Sequence, residues 1–118
     1  MIDTETAREK FLSFPEVTEQ DHFGKPSYRI KKKIFATLWL EDKRAMVKLS
    51  PDLQMDFCDK DPAAFIPVPG GWGRQGATFI ELQEVSMESF IQAITAAWCR
   101  IAPKALLNKF RQENTKKE

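Results

Sequence analysis

Phe23-Gly24-Lys25-Pro26-Ser27-Tyr28-Arg29-Ile30, then Lys31-Lys32-Lys33, then Ile34-Phe35-Ala36-Thr37-Leu38-Trp39-Leu40, then Glu41-Asp42-Lys43 and Arg44-Ala45-Met46-Val47-Lys48-Leu49, is the stretch that decides the fold. Pro26, Tyr28 and Ile30 alternate with Lys25, Ser27 and Arg29, which is the period of a strand with one buried face. Ile34 to Leu40 repeats that period, and so do Ala45, Val47 and Leu49 against Arg44, Met46 and Lys48. The polar triplets between the runs are short enough to be turns. Three strands joined in this way make an antiparallel meander.

Outward from the meander the period changes to that of helices. On the N-terminal side, Asp3 or Thr4 caps a helix through about Ser13, with Ala7, Phe11 and Leu12 on one face, and Pro15 stops it. On the C-terminal side, Ser50-Pro51-Asp52 combines a cap, a proline at the first helical position and an acid at the positive end of the dipole. That helix runs to about Lys60. Phe65 to Val68 reads as a short strand, which Pro67 and Pro69 confine to an edge. After a glycine loop, Ala77 to Leu82 is a fifth strand. Ser86 caps a long helix bearing Phe90, Ile91, Ile94, Ala97, Trp98 and Ile101, and Pro103 opens a last helix with Leu106, Leu107 and Phe110. The order α-β-β-β-α-β-β-α-α predicts a two-layer α+β fold, a five-stranded antiparallel sheet with helices on one face. One domain is expected over residues 1–112, with a polar tail over 113–118.

Composition narrows the function. The chain has 118 residues, enough for one core without disulfides or a structural metal, and a formal net charge of +1. A nearly balanced charge excludes a protein that coats nucleic acid by bulk charge, so any basic surface must be local. Cys58 and Cys99 lie far apart with no CxxC or Cys/His spacing, as for reduced thiols in the cytoplasm. Met1 to Thr6 has neither the basic nor the apolar region of a signal peptide, and no apolar run reaches the ~20 residues that span a bilayer. A cytoplasmic protein with no membrane association is expected.

The chemical motifs are weak. Gly71-Trp72-Gly73-Arg74-Gln75-Gly76 matches GxGxxG, but Pro-rich sequence precedes it and a strand follows, whereas a dinucleotide site needs a strand before and a helix within. The glycines are expected to form a tight loop that projects Trp72 and Arg74. His22 is the single histidine and has no metal-ligand or triad spacing around it. Asp56, Asp59 and Asp61 read as solvated charge at a helix end. No catalytic residue, metal or cofactor is expected, and the chain reads as a binding protein rather than an enzyme.

The sheet face away from the helices carries the functional expectation. If Ile34, Ala36, Leu38 and Leu40 face the core, then Phe35, Thr37 and Trp39 face outward, with Arg44, Met46 and Lys48 from the next strand. Ala77, Phe79 and Glu81 join them, as do Lys25, Ser27 and Arg29. A face mixing cations with aromatics suits nucleic acid, because cations meet phosphate while rings stack on bases. It equally suits a protein partner or a second copy. A third reading has the C-terminal helix fold over this face and cover it.

Several segments also resemble the YjbR-like (MmcQ/YjbR) family: Phe23 to Ile30, Lys33 to Leu38, Val47-Lys48-Leu49-Ser50-Pro51, Pro67-Val68-Pro69-Gly70-Gly71-Trp72-Gly73, Ala96-Ala97-Trp98 and Ile101-Ala102-Pro103-Lys104. They span nearly the whole chain in family order. The sequence departs at Ala77, where the family usually has a large aromatic. The resemblance implies a two-layer fold of the secretion-chaperone-like type with an antiparallel sheet, a DNA-binding label and no family-wide catalytic residue. Under the DNA reading, Lys25, Arg29, Lys31, Lys32, Lys33, Lys48 and Arg74 meet phosphate, and Trp39 and Trp72 supply stacking or groove contact. Under the interaction or homodimer reading, the contacts are Phe35, Trp39, Met46 and Phe79.

Overall fold

The computed structural model describes residues 1–116. Its elements in chain order are α1 (Thr4–Leu12), β1 (Val17–His22), β2 (Lys25–Ile30), β3 (Lys33–Trp39), β4 (Arg44–Lys48), α2 (Pro51–Lys60), β5 (Phe65–Pro67), α3 (Gly71–Arg74), β6 (Ala77–Glu81), α4 (Met87–Ile101) and α5 (Lys104–Lys116). The strands form one sheet in the order β1-β2-β3-β4-β6-β5, with every neighbouring pair antiparallel. The two-layer α+β fold and the edge position of the proline-bearing β5 are as the sequence implies. Helix caps are local: the side chains of Asp3, Ser50 and Ser86 each accept a backbone N–H three residues on.

The sheet has six strands rather than five. The extra one, β1, forms an edge and pairs residue by residue with β2, from Val17↔Ile30 to His22↔Lys25. Its composition hides it, because the side chains it turns toward the helix layer after Val17 are Glu19 and Asp21 rather than apolar groups. Glu19 is tolerated there because Arg8 Nε and Tyr28 Oη each donate to its carboxylate at 2.9 Å. Burial alone would raise the Glu19 carboxyl, but those two hydrogen bonds outweigh it and hold the group below the usual carboxylate range. A lowered folded-state value stabilises the fold above the unfolded carboxylate pKa, and this contribution disappears as pH falls through the folded value. Glu19→Gln should therefore be less stable than the parent at pH 7, with the gap narrowing as pH falls below the ordinary carboxylate range, as urea titrations at neutral and acidic pH would record.

The core lies between the sheet and the helices. Phe11 stacks on Tyr28 at 4.6 Å and meets Phe35 and Phe90 edge-on at 6.1 and 5.7 Å. Trp98 is fully buried beneath Phe14 and Phe110 and donates its Nε1–H to the Pro15 carbonyl at 3.1 Å. Leu106, Leu107 and Phe110 of α5 pack against this same core. The last helix therefore joins the helix layer, and the reading in which it covers the opposite sheet face is overturned. α5 also continues past Gln112, through much of the stretch expected to be a tail; residues 117–118 of that stretch lie outside the described residues.

Strict alternation fails at one place. Between β2 and β3 the register passes from Tyr28↔Ala36 to Arg29↔Ile34, so Phe35 has no partner across the ladder. Such a bulge resets the two-residue period. Phe35 consequently joins Ala36 in the core, fully buried against Phe11, and does not face outward. Ile34 instead pairs with Arg29 on the outer face, and Leu40, expected inside, is 52% exposed in the β3–β4 turn.

Candidate nucleic-acid interface

Register assigns the outer face, since residues directly opposed in an antiparallel pair project to the same side. One row runs Gln20, Ser27, Thr37, Met46, Phe79 and Ile66 across all six strands. Flanking rows hold Trp39, Arg44 and Glu81 toward one end of the sheet, and Lys48 and Ala77 toward the other. His22 and Lys25 form one outer pair of the β1–β2 ribbon, and Thr18 and Arg29 another. All the helix-borne core side chains lie on the opposite face.

The central apolar part of this face is nearly buried within the chain, while Ile66 on the β5 edge is 39% exposed. Met46, Ala77 and Phe79 form a small separate cluster, each only 6–7% exposed, with Trp39 and Val68 packed against it. Trp39 meets Phe79 edge-on at 4.9 Å and donates its Nε1–H to Thr37 Oγ1 at 2.9 Å. Cations lie over both rings: the Lys25 ammonium 4.5 Å from the Trp39 ring centre and the Arg44 guanidinium 4.4 Å from that of Phe79. The charged groups themselves lie on the rings, the arrangement of a cation–π contact. Arg44 also reaches Glu81 at 2.7 Å, and its Nε has no hydrogen-bond partner among the described residues. Trp39 is thus a half-buried floor beneath Lys25 and not a free stacking platform.

The cations divide between the two ends of the sheet. At one end Lys25 and Arg44 stand near Glu81 and the Glu41-Asp42 turn. The other end gathers Arg29, the Lys31-Lys32-Lys33 segment joining β2 to β3, and Lys48, with Arg74 on α3 just before β6. Arg29 is steadied by its Nε–H to Ser27 Oγ, 2.9 Å, and Ser27 in turn donates to the Gln20 carbonyl at 2.7 Å. Glu16 and Asp52 are the acids that chain position brings to this end. Trp72, 70% exposed on α3, is the aromatic beside it.

The glycine segment builds that corner. α3 is a single turn between two antiparallel strands, so the strand-helix-strand unit of a dinucleotide site does not exist here. Gly73 and Gly76 are required by close approach: a Cβ would lie 1.6 Å from the Val68 carbonyl oxygen and 1.8 Å from that of Leu49, respectively. Gln54 Nε2 ties the corner to α2 by donating to the Gly73 and Ala77 carbonyls at 2.8 and 3.0 Å.

A family model described as YjbR matches residues 12–100. The chain belongs to the YjbR family. No curated protein matches it. Among solved structures, it is similar to the crystal structure of Deinococcus radiodurans protein DR2400, which carries the DUF419 domain, with 15% identity, a TM-score of 0.73, and coverage of 96% of this chain and 88% of that one. That likeness shows the YjbR-type fold. The family match ends at residue 100, so α5 lies beyond it.

The structure therefore brings Lys25, Arg29, Lys48 and Trp39 onto one open face and sets Lys31 to Lys33, Trp72 and Arg74 along its margin. Phe35 is excluded. Arg44 belongs with this set and is identifiable from its alternation with Ala45 and Val47. The contributions of Thr18, Gln20 and His22 depend on β1. Among the described residues no group of three or more His, Cys, Asp or Glu could hold a metal, and no helix is long and apolar enough to cross a membrane.

Proposed function

We propose that this YjbR-family protein is a cytoplasmic, non-enzymatic nucleic-acid-binding protein that grips the phosphate backbone of DNA without much base readout. The observation that carries the reading is the open sheet face, whose central apolar side chains are nearly buried and whose Trp39 and Phe79 rings each lie under a cation, so that much of what it offers a partner is charge. Lys25, Arg29, Arg44 and Lys48 lie on that face, with the Lys31-Lys32-Lys33 turn and Arg74 at its margin. Phosphate contacts of this kind position a duplex or single strand and read little sequence. Trp72, and not the covered Trp39, is the ring available to stack on a base. A protein interface built on the same face has less to recommend it, because Met46 and Phe79 are nearly buried and Phe35 lies in the core. The non-enzymatic part of the reading is supported by the thiols, for burial pushes Cys58 and Cys99 up and away from the reactive thiolate.

Fluorescence anisotropy of labelled single- and double-stranded DNA, titrated with protein at several salt concentrations, tests the reading. Dissociation constants near ~10⁻⁶–10⁻⁴ M that rise linearly with salt on logarithmic axes are expected. Replacing Lys31, Lys32 and Lys33 with Ala should weaken binding about tenfold and flatten the slope by ~0.9 for each phosphate that is no longer neutralised. Absence of binding at low salt would sink the proposal.

A further inference from the structure

The three tryptophans have three different surroundings, and one ring is open. Trp98 lies in the core with its N–H on the Pro15 carbonyl, and Trp39 lies under Lys25 with its N–H on Thr37 Oγ1. Trp72 is 70% exposed, and among the described residues no ring, cation or hydrogen-bond acceptor engages its indole. Tryptophan is mostly buried in folded chains, so a ring left this open is informative.

The backbone beneath Trp72 is fixed from three sides. Gly73 lies against the Val68 carbonyl that follows β5, and Gln54 of α2 donates to the Gly73 carbonyl. At the far end of the turn, the Leu49 N–H after β4 donates to the Gly76 carbonyl at 3.1 Å. An indole on a fixed backbone has two side-chain torsions to settle, so a stacking contact costs little ordering. Cations flank the same turn. Arg74 folds back along α3, with its Nη2 3.6 Å from where a Cβ at Gly71 would lie. Lys48 is opposed to Ala77, the residue after Gly76. Both are exposed, and neither makes an ion pair among the described residues. Asp52, at the start of α2, is the acid that chain position sets against these two cations.

Charge alone favours a duplex. Double-stranded DNA carries more phosphate per unit length, and its salt slope is about 0.9 per neutralised phosphate against about 0.7 for single strands. A stacking ring favours the opposite, because paired bases already stack on one another and an unpaired base presents a free face. We infer that the ligand of this corner is single-stranded nucleic acid, with an unpaired base stacked on Trp72 while Arg74 and Lys48 meet the flanking phosphates. The inference rests on the nucleic-acid reading above and names the form of nucleic acid that the site takes. Stacking tolerates any base, in keeping with a surface that reads little sequence.

Anisotropy titrations of a labelled oligothymidylate and of a labelled duplex of equal length, at one salt concentration, test the inference on the full chain. Trp72→Ala and Trp72→Phe are compared with the parent. The parent should bind the single strand more tightly than the duplex. Trp72→Ala should lose about tenfold on the single strand and less than about twofold on the duplex, which reverses the preference, and Trp72→Phe should keep most of the parent's affinity. Indole fluorescence of the parent should be quenched as oligothymidylate binds, and both variants should lose most of that quench. Because the side chain is exposed, both variants should melt with the parent. Equal losses on the two DNAs, or an unchanged single-strand affinity in Trp72→Ala, would overturn the inference, while continued duplex binding would leave the phosphate-gripping reading in place. Failure to bind either DNA would remove both.

Discussion

Trp98→Ala should reduce the free energy of unfolding by roughly 3–5 kcal/mol, the range for deleting a large buried ring, and so remove much of the ~5–15 kcal/mol that holds a domain of this size folded. The site cannot collapse easily, because the indole is wedged between elements far apart in sequence. Phe14 follows α1, Phe110 comes from α5, and the Pro15 carbonyl accepts the indole N–H. Ala leaves both rings facing a cavity and deprives the carbonyl of its donor. Trp98→Phe keeps most of the packing and loses the hydrogen bond, so its cost should be nearer ~1–2 kcal/mol. Urea denaturation of the three proteins would show the order. A Trp98→Ala loss below about 1 kcal/mol would mean that α5 does not dock on this ring.

The helices and the central strands can be read from the sequence because local signals agree with the packing there. Ser50-Pro51-Asp52 and Ser86 are capping signals that work whatever surrounds them, and both helices begin where those residues stand. Ala45 and Val47 alternate with Arg44 and Met46 because β4 lies mid-sheet with one face against the helices. β1 cannot be read in the same way. Its inward Glu19 is satisfied by Arg8 and by Tyr28, and no pattern within β1 announces those partners.

The candidate site is legible to a similar, partial extent. Lys25, Arg29 and Lys48 follow from alternation alone. Phe35 defeats alternation because a bulge is a property of two strands in register, and the opposing step at Tyr28 and Arg29 is visible only once β2 and β3 are paired. Cover is equally non-local. Trp39 faces outward as expected, yet Lys25 from the neighbouring strand sits on its ring, which changes its role from stacking surface to floor. The turn at Phe23 is hidden for another reason. Without β1, the phenylalanine reads as the start of a strand and not as the first position of a two-residue turn.

Reversing Arg29, Lys48 and Arg74 together to Glu should lower DNA affinity by on the order of 100-fold or more at ~0.1 M salt, because phosphates that met cations would meet carboxylates instead. The salt slope should flatten at the same time, by ~0.9 for each phosphate set free. Position is what this variant probes, so it needs a partner with the same change in net charge elsewhere. Lys60, Lys104 and Lys109 are exposed lysines on α2 and α5 in the helix layer. Their reversal to Glu should change affinity by less than about fivefold, because beyond a Debye length of ~10 Å their field is largely screened. Five of the six positions are exposed, and Arg29 is half-buried with its Nε–H on Ser27 Oγ, so matching melting curves are required to show that both variants fold. Equal losses in the two variants would reduce the binding to bulk charge and remove the sheet face from the account. A loss confined to the first would locate phosphate contact at the end of the sheet that carries Arg29, Lys48 and Arg74.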